Sequence, residues 1–464
     1  MADERNTDSS PDVTAPDSGG ALTAEFVHAV TEALSGDAPQ AAAALVKDLK
    51  APDLAEVIEL LDPDLRVSLI QALGTSFDFE VLSELDETVR DQLSEALPNE
   101  LLARAVTELE TDDAAYVLEN LQESDKQEIL AQLPSGEREA IERTLDYPED
   151  SAGRLMRSEF VAVAPFWTVG NVIDHMRESD ELPDHFSEVF VVDPTFRVLG
   201  SVDLSKLVRT KRDAQVSSIM NTARHTVLAT EDQEELARQF QRYDLMSAPV
   251  VDENNRLVGV VTVDDVVEVI QDEAEQDMKA LAGVGDESLA DSVIETVKSR
   301  VPWLIVNLGT AMLASSVIKA FDATIQQMVA LAVLMPIVAS IGGNAGTQTM
   351  TVTVRALATN KLGPVNARRV ITREAFVGLL NGMVLSVIAA AVVFLWFGSG
   401  KLGGVIGAAM VVNSLAAGLA GILIPLAMDK FELDPAPASG VFVTMITDVV
   451  GFFAFLGLAT LWLV

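Results

Sequence analysis

Cysteine is absent from this 464-residue chain. Disulfide bonds and thiolate metal sites are therefore excluded, and the sequence does not indicate the redox state of its compartment. Histidine is almost as scarce: the four residues are scattered through the first half of the chain, without the spacing of a metal or nucleophile site. They are His28, His175, His185 and His225. We therefore predict that the chain is not an enzyme.

Charge is scarce after residue 300. Of the 32 Lys/Arg and 70 Asp/Glu residues, only eight bases and six acids lie there, so the first 300 residues carry a net charge of −40 and the rest +2. A field of this sign repels nucleic acid and concentrates cations. The sequence thus predicts an acidic, soluble front half and a membrane half, with no nucleic-acid partner. An acidic proteome from a salt-rich cytosol also explains the bulk charge, so only specific acid clusters are candidate ligands.

The front half begins with two different segments. Residues 1–20 are polar and lack an apolar segment, so we expect a disordered tail rather than a signal peptide. In residues 21–148, apolar side chains recur every three or four positions in short stretches, which are broken by turn signals such as Asp62-Pro63-Asp64. Stacked short helices form a superhelix. We therefore predict an all-α superhelical N-terminal domain.

A unit of about 60 residues then occurs twice, in residues 149–210 and 211–266. Each copy predicts a strand, a helix, two strands around a turn and a further helix. This α/β repeat is similar to a tandem pair of CBS domains, which are regulatory modules. The resemblance implies that Thr262 and Asp265 bind the ribose of ATP or another adenosine nucleotide. In the first copy, Lys206 stands where the acid is expected.

The connecting segment, residues 267–300, begins as a helix with one acidic face. Asp265, Glu268, Asp272 and Glu275 recur at spacings of three and four, and like charges at these spacings repel one another. Clustered carboxylates are what a hard divalent ion recruits. A solvated acidic face needs no such partner, and both interpretations stay open here.

Five apolar runs in residues 301–464 are long enough, or nearly so, to cross a bilayer. They cover about 303–320, 326–346, 374–397, 402–428 and 438–464. The loop between the second and third runs is rich in Arg and Lys, and such loops face the cytoplasm. We therefore predict a bundle of five transmembrane helices in the cell (inner or plasma) membrane, with the N-terminus cytoplasmic and the C-terminus outside.

One acid, Asp448, lies near the middle of the last apolar run. A charged side chain at that depth costs about 2.5–3.5 kcal/mol on an insertion scale and indicates a functional site by default. Steps of three and four place it on one helical stripe with Gly440, Thr444, Thr447 and Gly451. The acid is either hydrogen-bonded inside the bundle or part of a cation pathway.

The second apolar run ends in a glycine-rich segment, Gly342 to Gln348. Such backbone is tolerated at membrane depth only where it is packed in protein or lines a water-filled cavity. Close packing alone also accounts for these glycines.

The order of these segments resembles the MgtE-type magnesium channels and transporters over almost the whole chain after residue 20. Three stretches carry the resemblance: Tyr147 to Met156, Gly342 to Gln348 with Arg355 to Thr359, and Asp434 to Gly451. It implies a homodimer in a lipid bilayer, whose second and fifth spans line one Mg²⁺ pore. It also implies that the connecting helix is a plug, which cytosolic Mg²⁺ locks against the soluble domains.

The resemblance also implies two sets of ion ligands. In the pore these are Asp448, Thr444, Thr447, Asn344, Gly343 and Gly346; in the cytosolic part they are Asp265, Glu268, Glu273, Asp277 and Asp112. Gln276 and Tyr116 stand where the family tends to have acids, which implies fewer or weaker sensing sites. Hard-oxygen sites separate Mg²⁺ from Mn²⁺, Co²⁺ and Zn²⁺ only in part.

Two other functions are compatible with parts of this pattern. A CBS-gated anion channel requires basic or amide groups at mid-membrane, where the only charge here is negative. A non-transporting, membrane-anchored cation or nucleotide sensor has no use for Asp448. We therefore predict Mg²⁺ uptake that cytosolic Mg²⁺ closes.

Overall fold

The computed structural model describes residues 22–36, 38–179, 182–183, 185–222, 225–285, 287–431 and 433–464. The expected N-terminal tail, residues 1–20, lies outside these ranges. The chain forms two compact units, one ending at Glu273 and the other beginning at Ala274.

The first unit opens with nine short helices within the described residues. They are α1 (Ala24–Ser35), α2 (Pro39–Val46), α3 (Ala51–Leu60), α4 (Pro63–Leu73), α5 (Glu87–Ala96), α6 (Asn99–Glu108), α7 (Thr111–Leu118), α8 (Glu123–Leu130) and α9 (Ser135–Leu145), with 3-10 turns at Gly74–Ser76 and Phe79–Leu82. Helices α2, α3 and α4 each have one proline at their first or second position. The N–H groups of the first turn have no partner within the helix, so proline costs no hydrogen bond there. The helices bury apolar side chains such as Phe26, Leu69 and Leu102. The predicted helical domain is confirmed.

Two three-stranded sheets follow, and both have the same topology. In the first, β1 (Ala162–Val163) pairs in parallel with β2 (Glu188–Val192), which pairs antiparallel with β3 (Val198–Asp203). In the second, β4 (Val227–Leu228), β5 (Ser247–Val251) and β6 (Leu257–Thr262) pair in the same way. The associated helices are α10 (Val169–Glu178), α11 (Leu204–Arg209), α12 (Val216–Ile219), α13 (Gln233–Tyr243) and α14 (Val263–Leu281). The predicted repeated α/β unit is confirmed.

The second unit is helical, and among its described residues five helices are long and apolar enough to cross a membrane. They are α15 (Val293–Ala320), α17 (Ala330–Ala358), α18 (Ala367–Phe397), α19 (Gly400–Lys430) and α20 (Pro435–Trp462), with the short α16 (Asp322–Gln327) after α15. The predicted five-helix membrane domain is confirmed. The boundaries of the second span differ from the predicted 326–346, because residues 322–327 form a separate helix and the glycine-rich segment continues as helix to Ala358.

Close packing explains why the glycine-rich segment stays helical. The amide of Asn413, in the middle of α19, is buried, and its Nδ2 donates to the Val338 carbonyl at 2.9 Å. Gly342 and Gly451 leave room for this amide from two sides; a Cβ on Gly451 would lie 2.7 Å from Nδ2. Small residues let transmembrane helices approach closely, and polar amides hydrogen-bond across them. Helix α19 thereby holds α17 and α20 together.

Candidate ion pathway and cytosolic acid cluster

Asp448 lies in the middle of α20 and is half-buried. Among the described residues, no hydrogen bond or ion pair reaches its carboxylate. Its stripe divides between two environments, since Thr447 and Gly451 are buried, whereas Thr444 is exposed. The Thr447 hydroxyl donates to the Thr444 carbonyl at 2.9 Å, so it is already engaged inside the helix. The interpretation of Asp448 as an acid hydrogen-bonded within the bundle therefore has no support within one protomer.

Helix α17 packs on this part of α20 and carries exposed polar side chains at the same level. Gly346 packs directly on α20, because a Cβ there would lie 2.5 Å from Val443 Cγ1 and 3.5 Å from Thr447 Cγ2. This contact brings the Asn344 region to the same level as residues 443–448. Asn344 and Gln348 are exposed, and a Cβ on Gly343 would meet no atom within 4 Å. The two helices thus leave carboxylate, hydroxyl and amide groups open at membrane depth.

The end of α14 packs against the same two helices. Ala280 and Leu281 contact a small core that contains Met350 and Val354 of α17 and Ala436 of α20. Nearby, Asp277 lies 3.9 Å from the Arg355 guanidinium. Burial raises the pKa of Asp277, as does the negative charge of Asp434, while Arg355 lowers it. The last turns of the predicted plug helix therefore contact the helices that carry Asp448 and Asn344.

Within the first unit, a single guanidinium gathers two of the predicted cytosolic ligands. Nη2 of Arg157 lies 2.6 Å from Asp265, and its Nε lies 3.3 Å from Asp112. The sequence prediction missed Arg157. The one available signal was a second base, three residues after Arg154, in a region where acids outnumber bases.

The other acids surround this ion-pair cluster. The pKa of Glu268 is raised to about 7, first by loss of surrounding water and then by the charges of Asp265, Glu84, Asp113 and Asp272. Burial also raises the pKa of Asp113 to about 7, against the opposing effect of Arg157. Both pKa values are raised because burial removes the water that would solvate the charged carboxylate, and neighbouring carboxylates add repulsion.

The remaining predicted residues have other neighbours. Glu273 accepts a hydrogen bond from Gln233 Nε2 at 2.9 Å. Tyr116 lies under Arg90, whose Cζ is 3.3 Å from the ring centroid, so a cation–π contact replaces the acid expected there. In the described parts of the chain, no three carboxylate or imidazole groups form a ready-made metal cage. Mg²⁺ does not require one, because it usually keeps several waters and takes one or two carboxylates.

Thr262 and Asp265 lie where β6 ends and α14 begins. The Thr262 hydroxyl donates to Asp265 Oδ2 at 2.6 Å, while Oδ1 of the same carboxylate pairs with Arg157. The adjoining cavity, which is also lined by Glu188 and Ser247, has a volume of about 30 Å³. Small-molecule pockets usually measure ~300–1,000 Å³. Ribose binding here requires both a wider cavity and release of Asp265.

Three family profiles match successive parts of the chain. The profile described as "MgtE intracellular N domain" matches residues 30–150, the CBS domain matches 152–213 and 216–272, and the profile described as "Divalent cation transporter" matches 335–458.

Curated relatives match over most of their length. The chain is 33% identical over 438 residues to the "Magnesium transporter MgtE" of Thermus thermophilus, covering 93% of this chain and 97% of the relative. It is 29% identical over 417 residues to the protein of that name from Bacillus subtilis, covering 90% and 92%. A crystal structure of the cytosolic domain of the Mg²⁺ channel MgtE in complex with ATP is 32% identical, with a TM-score of 0.48, over 52% of this chain and 99% of that one. The chain belongs to the MgtE family of divalent cation transporters.

Proposed function

We propose that this protein carries Mg²⁺ across the cell membrane into the cytoplasm and that cytosolic Mg²⁺ closes the path. The observation that carries the proposal is Asp448, a half-buried carboxylate in the middle of an apolar helix, which no hydrogen bond or ion pair reaches among the described residues. The relatives named magnesium transporters, which align over more than nine-tenths of their length, support the choice of ion.

A homodimer completes the path in this proposal. In one protomer, Thr444 and Asn344 are exposed and Asp448 is half-buried, and polar groups at membrane depth need protein or water around them. In the proposed dimer, two protomers place two Asp448 carboxylates around one axis. A hydrated Mg²⁺ would contact them through its waters, since this ion gives up its water reluctantly. Thr447 and Gly346 contribute by packing α17 on α20, and Gly343 leaves space at the same level.

The gate in this proposal is the last part of α14. Its Ala280 and Leu281 contact α17 and α20, so a shift of this end alters the helices that line the path. Glu268, Glu273 and Asp277 are the proposed cytosolic Mg²⁺ ligands. Asp112 and Asp265 join them only when Arg157 is displaced. An ion shifts such an equilibrium by its differential affinity for the two states.

The orientation and an adenosine nucleotide are further parts of the proposal. Basic residues cluster where α17 ends and α18 begins, and they support a cytoplasmic N-terminus and a C-terminus outside. They are Arg355, Lys361, Arg368, Arg369 and Arg373. The Thr262–Asp265 pair supports ribose binding in a conformation that frees this carboxylate. The alternative, a membrane-anchored sensor without transport, predicts no ion flux.

The test is growth rescue of a host that lacks magnesium uptake, at limiting Mg²⁺, beside an empty vector. Purified protein in liposomes then reports Mg²⁺ entry with an enclosed fluorescent indicator. We expect rescue and entry. Stable, folded dimers without Mg²⁺ entry would reject transport and favour the sensor.

A further inference from the structure

Four carboxylates converge on the guanidinium of Arg157. In addition to Asp265 at 2.6 Å and Asp112 at 3.3 Å, Nη1 lies 2.5 Å from Glu110 and Nη2 lies 3.1 Å from Asp264. Glu110 and Asp112 belong to the start of α7 in the N-terminal helical domain, whereas Asp264 and Asp265 belong to the start of α14 in the second CBS domain. One side chain thus joins the two domains.

The position of Arg157 is fixed by its backbone. Its N–H donates to the Val260 carbonyl at 2.8 Å, and its own carbonyl accepts from the Val260 N–H at 3.0 Å, so the segment is paired with β6. Gly259 makes this approach possible, because a Cβ there would lie 2.8 Å from the Arg157 carbonyl oxygen. The Thr262 hydroxyl holds Asp265 from the other side. The backbone pairing with β6 therefore fixes the position from which the guanidinium reaches the acids.

The guanidinium of Arg157 is chemically suited to binding several carboxylates. Guanidinium is always charged and has five donors in a rigid plane, so it can contact several carboxylates at once. Without Arg157, four carboxylates from two domains would repel one another at a partly buried interface. Removing one partner of a buried ion pair leaves the charge of the other uncompensated. A divalent cation is the other species that collects this many carboxylates.

We propose that Arg157 takes the place of a divalent cation at the contact between the N-terminal domain and the second CBS domain, so that this contact persists when cytosolic Mg²⁺ is low. The inference rests on the proposed function. It limits the carboxylates that bind regulatory Mg²⁺ to Glu268, Glu273 and Asp277. Removing the Mg²⁺ then releases the end of α14 without detaching α7 from the second CBS domain.

The test is amide hydrogen exchange on the full-length protein in lipid nanodiscs, with EDTA or with millimolar Mg²⁺. The readout is protection in α7, Thr111–Leu118. In the wild type, we expect α7 to exchange at nearly the same rate in both solutions. In Arg157→Gln with EDTA, we expect α7 to exchange about tenfold faster, equivalent to ~1.4 kcal/mol of weaker attachment. Added Mg²⁺ should restore protection in this variant, because the vacated carboxylates then bind the ion.

Arg212→Gln is the matched control. Arg212 pairs with Asp174 at 2.6 Å in the first CBS domain, and both side chains are about half exposed, so the same charge is removed away from this contact. It should leave α7 unchanged. Arg157→Lys, which keeps the charge but loses the planar donors, should lie between the wild type and Arg157→Gln.

Three results would overturn the inference: wild-type α7 that opens in EDTA as far as in the variant, an Arg157→Gln protein that stays protected in EDTA, or lost protection that Mg²⁺ does not restore. The first needs no variant, so the test stands even if Arg157→Gln fails to fold. None depends on ion flux. A protein that transports no Mg²⁺ but keeps these exchange patterns would reject the proposed function and not this contact.

Discussion

Gly346 of α17 packs on Val443 of α20 so closely that a Cβ at position 346 would lie 2.5 Å from Val443 Cγ1. This contact sets the level of the two helices. Near this contact, Asn344 of α17 and Thr444 of α20 are both exposed.

Asp448→Ala should lower Mg²⁺ entry by about 10–100-fold, as expected when a group that orients a bound ion's water is lost. Asp448→Asn should lose most entry too, although it keeps the shape. Mg²⁺ flux into liposomes measures both, with dimer content checked by size-exclusion chromatography. Asp322→Asn is the control, because Asp322 begins the short α16 and accepts a hydrogen bond from Gln326 of that helix. Normal flux in Asp448→Ala would move the ion site elsewhere.

Gly343→Leu should block flux while the protein stays folded. No described atom of the protomer lies within 4 Å of a Cβ at this position, so the new side chain fits without a clash. In the proposed dimer, it narrows the ion path. Gly346→Leu should instead disturb the packing of α17 on α20 and lower thermal stability. Flux and melting temperature, measured on both variants, separate the two effects. A folded Gly343→Leu protein that conducts normally would place the constriction away from this level.

The triple variant Glu268→Gln, Glu273→Gln, Asp277→Asn should keep the pore intact and lose its closure by internal Mg²⁺. Mg²⁺ can bridge the domains only through carboxylates. The amide side chains of the variant no longer repel one another, but they do not bind Mg²⁺ in place of the carboxylates. Channel activity against internal Mg²⁺, with limited proteolysis of α14 in parallel, is the measurement. The wild type should be quiet and protected at high Mg²⁺, whereas the variant should be active and cleaved. If the Mg²⁺ dependence were unchanged, these acids would be a solvated helix face and not Mg²⁺ ligands.

The acid cluster should also make the first unit sensitive to pH when divalent ions are removed. Folding raises the pKa of Glu268 to about 7, chiefly by loss of water, then by the charges of Asp265, Glu84, Asp113 and Asp272. A carboxyl whose pKa is higher in the folded state destabilises that state above this pKa and stops doing so as it gains a proton. In EDTA, stability should therefore rise as the pH falls from about 8 towards about 5.

Thermal unfolding of the full-length protein in EDTA, followed across this pH range, measures the effect. Glu268→Gln removes one of the titrating groups, so its pH dependence should be shallower than that of the wild type. An equal slope in the two proteins would assign the pH dependence to other groups.

The five membrane helices, the repeated α/β unit and the N-terminal helices were predictable from the sequence, since each depends on apolar length or on spacings within a few residues. Asp448 was also identifiable, because an acid inside an apolar run is conspicuous without any knowledge of its neighbours. The extension of the second span to Ala358 was not predictable, since its glycines are supported by Asn413 and Val443 from distant helices.

The sequence by itself thus determined which segments cross the membrane, which segments repeat and where a lone carboxylate lies at depth. Only the tertiary structure decided that Thr444 is open while Thr447 is packed, because a helical stripe alone does not state which side meets a neighbouring helix. It also decided the partners of Arg157, which lie 45 residues away at Asp112 and 108 residues away at Asp265. Only folding brings these charges together, because residues so far apart in the sequence share no local spacing pattern.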